Sequence, residues 1–133
     1  MRVFVDTNVF IATVVDEPGR GELAARFLNQ NFDYCTTIFS AMEFRTVLAK
    51  KKRVEQERVE ERLAEILESV DVYFPSMNEI IDAYELQVET LLYPMDCLIL
   101  AMADGEDAPL VTFDSELLNN GAKSPDEFLD GSN

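Results

Sequence analysis

The stretch VFVDTNVF, residues 3–10, passes from an apolar run directly into a carboxylate, Asp6, and then into two polar residues. With Arg2 in front, RVFV (2–5) is short, β-branched and aromatic, the pattern of a strand buried on both faces. A helix is expected from about Asn8, closed by the turn DEPGRG at 16–21. Working outward, GELAARFLNQ has apolar residues at 23, 24, 27 and 28, a helical spacing. DYCTT (33–37) reads as a second strand, with a helix over FSAMEFRTVLAKK after it. Val59, Leu63, Ile66, Leu67 and Val70 form a helical stripe opposite a Glu/Arg face. VDVYF (70–74) reads as a third strand stopped by Pro75, and PLVTF (109–113) as a fourth. Between them two helices flank Pro94, a residue suited to a first helical position. Strands alternating with helices predict an α/β domain with a mainly parallel central sheet. The 133 residues fit one domain, 1–133, whose tail SPDEFLDGSN is expected to be a short helix fraying from about residue 124.

Composition narrows the chemistry. The chain contains no histidine, which removes Ser-His-Asp and Cys-His mechanisms and any His-ligated metal site. Carboxylates, hydroxyls, lysine or a metal must then carry any reaction. Cys35 and Cys97 lie in apolar settings without metal-ligand spacing and read as reduced core residues. No apolar run approaches the roughly 18 residues of a membrane span, and MRVFVDTN lacks a signal peptide's apolar core and cleavage site. A cytoplasmic protein with no membrane segment is expected. The net charge is −15 and the pI ≈ 4.2. Four lysines (Lys50, Lys51, Lys52 and Lys123) face 26 acids, a balance that leans toward a high-salt cytoplasm, where the Debye length falls to about 3 Å near 1 M salt. This surface has no general attraction for nucleic acid.

The opening pattern returns in LVTFDSEL, an apolar run followed by Asp114 and a helix-like start. Open parallel sheets bind ligands beyond the carboxyl ends of their strands, so two strands ending in Asp deliver two carboxylates to one edge. Either Asp equally suits a helix N-cap. Asp96, within TLLYPMDCLILAMA, is the only charged residue between Glu89 and Asp104. A helix apolar all round is expected to be buried, and an isolated carboxylate there is costly unless paired or metal-bound. A favourable helix dipole, worth about 0.3–1 kcal/mol at an exposed site, does not offset deep burial. Asp96 therefore reads as a site residue. Glu43 fits a capping box with Ser40 in SAME (40–43); a helix starting near Thr37 instead puts it one turn deeper, and local pattern leaves both open. If all four acids meet, each pair about 4 Å apart repels by about 4 kcal/mol at an effective dielectric near 20. An all-oxygen set of this kind selects Mg2+ or Mn2+, ions that activate water and neutralise charge on a phosphodiester.

VFVDTNVF, SAMEF, MDCLILAMA and LVTFDSEL resemble, in this order, the four acidic motifs of PIN-domain nucleases, especially the small VapC-type toxins. The likeness spans essentially the whole chain. Its more specific pieces are DTN after the first strand and T-x-D after the late one. The resemblance implies that Asp6, Glu43, Asp96 and Asp114 form the catalytic, metal-binding centre. Thr7 and Asn8 fall in the first motif, Thr112 sits where a hydroxyl often supports the site, and Glu116 lies where members commonly carry another acid. It further implies a three-layer α/β/α sandwich that forms a homodimer, with Mg2+- or Mn2+-dependent endoribonuclease action on RNA. Toxin members are silenced by a cognate antitoxin.

The one concentrated positive run is KKKR, Lys50, Lys51, Lys52 and Arg53, with Arg45 earlier on the same helix. These residues suit RNA phosphates and equally suit a solvated helix C-terminus. Arg58 and Arg62 are spaced to pair with Glu55, Glu61 and Glu65, while Tyr84 and Tyr93 read as core or interface. Competing readings are weaker. A haloacid-dehalogenase-type phosphatase needs a second Asp where Asn8 stands, and a receiver domain needs an acidic pair near the first strand. Two alternatives stay within the resemblance: an RNA-processing nuclease without an antitoxin, and a non-catalytic PIN-like interaction module. Against the latter, an idle site has no physical reason to keep four mutually repelling acids.

Overall fold

A computed structural model describes residues 1–129. Four strands, β1 (Arg2–Val5), β2 (Asp33–Thr37), β3 (Asp71–Tyr73) and β4 (Leu110–Val111), pair in the order β3-β2-β1-β4, all parallel. The strands coincide with the four apolar runs of the sequence, and the two outer ones are shorter than their runs. Helices fill the crossovers, α1 (Thr7–Val15), α2 (Arg20–Leu28), α3 (Ile38–Thr46), α4 (Gln56–Ser69), α5 (Met77–Thr90) and α6 (Pro94–Gly105), and α7 (Ser115–Leu118) follows the last strand. Among the described residues no helix is long and apolar enough to cross a membrane.

The alternation of β1 builds the layers. Val3 and Val5 pack with Val9 and Phe10 of α1, Phe27 of α2, Phe44 of α3 and Val59 of α4. Phe4 faces the other way, against Ala83 of α5 and Cys97, Ile99 and Met102 of α6. The result is the three-layer α/β/α sandwich. RVFV is apolar on both faces because both faces are covered. Each fully buried Val or Phe contributes on the order of 1.5–3 kcal/mol. Cys35 and Cys97 are buried, free thiols.

Several local boundaries differ from the sequence expectation. The N-cap of α3 is Thr37, whose hydroxyl accepts from the Phe39 amide, so no capping box forms at Ser40–Glu43. Ser40 is instead buried inside the helix. A capping box does form at Ser76 and Glu79, opening α5. After α3 the chain makes one π-helical turn, Val47–Lys51, in which the Lys52 amide donates to the Val47 carbonyl. From the tail expected to fray, Pro125–Phe128 forms a 3-10 helix, and the Phe128 ring lies 5.7 Å from that of Phe27 and 5.8 Å from that of Phe32. The rest of that tail, 130–133, lies outside the described residues.

Candidate active site

Asp6 ends β1 and caps α1, so the two readings of the opening stretch hold together. Its Oδ1 accepts from the Thr7 amide at 2.8 Å, and its Oδ2 accepts from the Thr112 hydroxyl at 2.8 Å. The Asn8 side chain joins the two strand ends. Its Nδ2 donates to Thr112 Oγ at 3.0 Å, and its Oδ1 accepts from the Phe113 amide at 3.1 Å. Thr112 Oγ also accepts from the Asp114 amide at 3.1 Å. Asp114 in turn caps α7, its Oδ2 accepting from the Leu117 amide at 3.0 Å. Parallel pairing of β1 with β4 brings both corners to one sheet edge.

Glu43 and Asp96 complete the ring. Asp6, Glu43, Asp96 and Asp114 line one cleft of ≈ 270 Å³ with Thr7 and Asn8; Ile11, Val47, Met95 and Ile99 form its apolar wall. Asp6 is only 7% exposed. Burial, the largest cause, pushes its carboxyl up to about 6; the Thr112 and Thr7 hydrogen bonds oppose this, and the Glu43 and Asp96 charges add to it. Asp96 is half-buried rather than deeply buried, because it sits in the first turn of α6, where that helix meets the cleft. Its carboxyl is also raised, by burial first and then by Asp114, Glu116 and Glu43. Four segments far apart in sequence thus press on one another electrostatically.

A larger cavity of ≈ 400 Å³ lies elsewhere, between α5, α6 and residues 120–121. It contains none of the four acids, and size alone does not outweigh their convergence. Among the described residues, no group of three or more His, Cys, Asp or Glu side chains stands close enough to hold an ion as it is. The donor chemistry nevertheless fits a hard divalent cation: every polar group is an oxygen or amide, and carboxylates of like charge stay apart until a cation draws them in. The Thr7 hydroxyl gives independent support. It is buried, lines the cleft and has no hydrogen-bond partner among the described residues, an orphan that a bound ion's water would satisfy.

The remaining sequence candidates divide. Glu116 is exposed and outside the cleft lining, although its charge reaches Asp96. Arg45 is held at the surface by Glu60, with Nε–Oε2 2.7 Å and Nη2–Oε1 2.9 Å, and does not line the cleft. Lys50 to Arg53 are exposed; Lys50 and Lys51 end the π turn that begins at Val47, a cleft residue, and Lys52 and Arg53 follow it. Arg62 pairs with Glu65 at 3.4 Å. Tyr84 and Tyr93 are 75% and 74% exposed, so neither is core. Sequence reasoning missed the apolar cleft residues Ile11, Val47, Met95 and Ile99. Their signal was present: Ile11 and Val47 lie four positions after Thr7 and Glu43, Met95 directly precedes Asp96, and Ile99 lies three positions after it, one turn along the same helix face.

Solved structures share the fold at low identity. A toxin-antitoxin complex from Klebsiella pneumoniae has 23% identity and a TM-score of 0.74, covering 92% of this chain and 97% of that one. VapC20 from Mycobacterium tuberculosis, described as a sarcin-ricin loop cleaving toxin, has 21% identity and a TM-score of 0.76, covering 90% and 95%. VapBC2 from Rickettsia felis, bound to a promoter DNA fragment, has 19% identity and a TM-score of 0.73, covering 93% and 97%. No curated protein sequence matches. The family model of the PIN domain matches residues 3–123, from the first strand to the residue that bridges β4, and on that extent the chain belongs to the PIN-domain family.

Proposed function

We propose that the protein is a nuclease that hydrolyses RNA phosphodiester bonds with Mg2+ or Mn2+, acts in the cytoplasm, and is the toxin of a toxin-antitoxin pair. The observation that carries this reading is the gathering of Asp6, Glu43, Asp96 and Asp114 around one cleft. Asp6, fixed by the Thr7 amide and the Thr112 hydroxyl, is the rigid anchor, while Glu43, Asp96 and Asp114 approach from three other elements. A divalent cation bound there supplies an activated water and neutralises charge developing on the phosphodiester. Glu43 is the exposed member of the four. Lys50 to Arg53 hold the RNA backbone at the cleft edge, a local exception on a surface of net charge −15. An antitoxin partner is suggested by neighbours that are themselves toxin-antitoxin complexes.

Purified protein should lose RNA cleavage on chelation and regain it with added Mg2+ or Mn2+. Replacing Lys50, Lys51, Lys52 and Arg53 by Ser should weaken RNA binding roughly tenfold and flatten its salt dependence, leaving the affinity for Mn2+ unchanged. Cleavage that survives chelation would refute the metal requirement, and RNA affinity equal before and after would remove the basic run from the reading.

Homodimerisation belongs to the same proposal, and its support is the outer face of α5. Met77, Ile80, Ile81, Tyr84 and Val88 are all at least 48% exposed there, at the spacing of one helical stripe. A contiguous apolar face of this kind marks an interaction site. Tyr84→Glu should convert the dimer to monomer in light scattering while leaving the circular dichroism spectrum unchanged; a dimer that persists assigns the face to something else.

A further inference from the structure

The turn between α1 and α2 places one arginine where no local rule asks for it. Asp16 and Gly19 take left-handed backbone, with φ of 51° and 79°, and a Cβ on Gly21 would meet the Ala12 carbonyl oxygen at 3.0 Å. The two glycines of GRG (19–21) thus fold the chain tightly back on α1 and make Arg20 the first residue of α2. The helix dipole disfavours a cation at that end. What holds Arg20 is Phe113, with the guanidinium carbon 5.2 Å from the ring centroid. Phe113 stands between Thr112 and Asp114, and its amide donates to Asn8 Oδ1 at 3.1 Å, within the network that fixes Asp6. The function proposed above leaves this cation unused. Other arginines are closed by carboxylates: Arg45 by Glu60 at 2.7 and 2.9 Å, and Arg2 by Asp33 and Glu106 at 3.0 and 2.7 Å. Among the described residues the one ion-pair partner of Arg20 is Glu17 at 3.7 Å, beyond hydrogen-bond distance, and the Arg20 side chain is 54% exposed.

From this we infer that Arg20, stacked on Phe113, is a substrate contact: it holds the RNA backbone by a phosphate flanking the one that meets the acids. The inference rests on the ribonuclease reading above and adds to it a residue from a different element, α2, and the group that residue binds. A guanidinium presents paired N–H donors in one plane, which match two phosphate oxygens. Stacking on a ring sets that plane and leaves the N–H edge free, so little freedom is lost when the phosphate arrives. Phe113 couples the contact to the chemistry, because its amide and the Asp6 carboxylate are held by the same Asn8–Thr112 pair. A strand seated at the cleft brings its flanking phosphates with it, and a cation fixed beside Asp114 meets one of them. On a chain of net charge −15, a cation left open toward solvent next to the acids offsets the repulsion that an anionic strand would otherwise meet.

The test is cleavage of poly(U) with Mn2+ over a series of salt concentrations. Arg20→Gln should raise KM about tenfold, the loss of one charge-assisted contact, while kcat and Mn2+ affinity hold. The slope of log KM against log salt should fall by about 0.7, the share of one phosphate on a single strand. A residue that only shaped the turn would leave that slope alone. Arg20→Lys should restore the slope and part of the affinity, since lysine keeps the charge without the planar fork. Phe113→Leu should raise KM with the slope retained, and should add nothing in the Arg20→Gln background, the mark of two residues making one contact. An unchanged KM in Arg20→Gln overturns the inference and leaves the guanidinium to an acidic partner protein. A raised KM with an unaltered slope, or a joint fall of kcat and Mn2+ affinity, overturns it as well, by making Arg20 a support of the turn or of the acids. Absence of both Mn2+ binding and cleavage in the wild type would remove the ribonuclease reading itself, and this inference with it.

Discussion

Asp96→Asn should abolish cleavage, lowering kcat/KM at least about 100-fold, and should at the same time make the metal-free protein more stable at neutral pH. The two halves have one cause. Asp96 is half-buried beside Asp114, Glu116 and Glu43, and its carboxyl is raised by burial and by their charges. For a raised carboxyl, the folded state holds the proton more tightly than the unfolded chain, so its stabilising contribution is complete at low pH and is lost as pH rises through the folded value. At neutral pH the ionised group therefore strains the fold, and a neutral isostere relieves it. Removing supporting residues around a metal typically costs 10–100-fold in activity or metal affinity, so a direct ligand should cost at least about 100-fold. Glu116→Gln, outside the cleft lining, is the control and should change the rate by no more than about threefold, as surface charges do. Cleavage assays with thermal melts of the two variants decide the matter. An Asp96→Asn enzyme that cuts at the wild-type rate would end the four-acid account.

The same residue shows where sequence was informative. The strands at 2–5 and 33–37 were legible to the residue, because RVFV and DYCTT are compact runs rich in β-branched and aromatic residues followed by helix starts. Asp6 and Asp114 were legible both as strand-end acids and as helix N-caps, and each does cap a helix, Asp6 through Oδ1 and Asp114 through Oδ2. Asp96 was picked out by its isolation in an apolar helix, yet the argument from deep burial overshot, since periodicity cannot tell which turn of a helix borders a cleft. The start of α3 was left open because Thr37 and Ser40 are both capping residues. The choice is made by β2, which carries its pairing with β3 through Thr37. The Asn8 link to Thr112 and Phe113 spans 104 and 105 positions and depends on parallel pairing that no local pattern reports. Arg45 was offered to RNA from charge alone, and its ion pair with Glu60, fifteen residues on, was not legible from local spacing.

Asp6 should show the largest pH dependence of stability in the metal-free protein. Its carboxyl rises from an ordinary 3.8 to about 6, with burial as the first cause. The sign follows as for Asp96: the contribution is fully present below pH 3.8 and is lost as pH climbs through about 6. At 1.36 kcal/mol per pH unit the gap is worth roughly 3 kcal/mol. Many acids titrate in the same window, so the quantity to measure is the difference between wild type and Asp6→Asn in urea unfolding. That difference should shift by roughly 2–3 kcal/mol in favour of Asp6→Asn between pH 4 and pH 7.5. The variant begins with a handicap at pH 4, because an amide replaces the oxygen that accepts from Thr112, which costs on the order of 1 kcal/mol. Divalent cations sharpen the comparison. Mn2+ added at pH 7.5 should stabilise the wild type in a concentration-dependent way, as any ligand of the folded state does, and should stabilise Asp6→Asn far less. Parallel pH curves for the two proteins would mean that Asp6 carries no excess charge strain. A cation would then have nothing at this position to relieve, and the physical motive for a metal centre at the end of β1 would be gone.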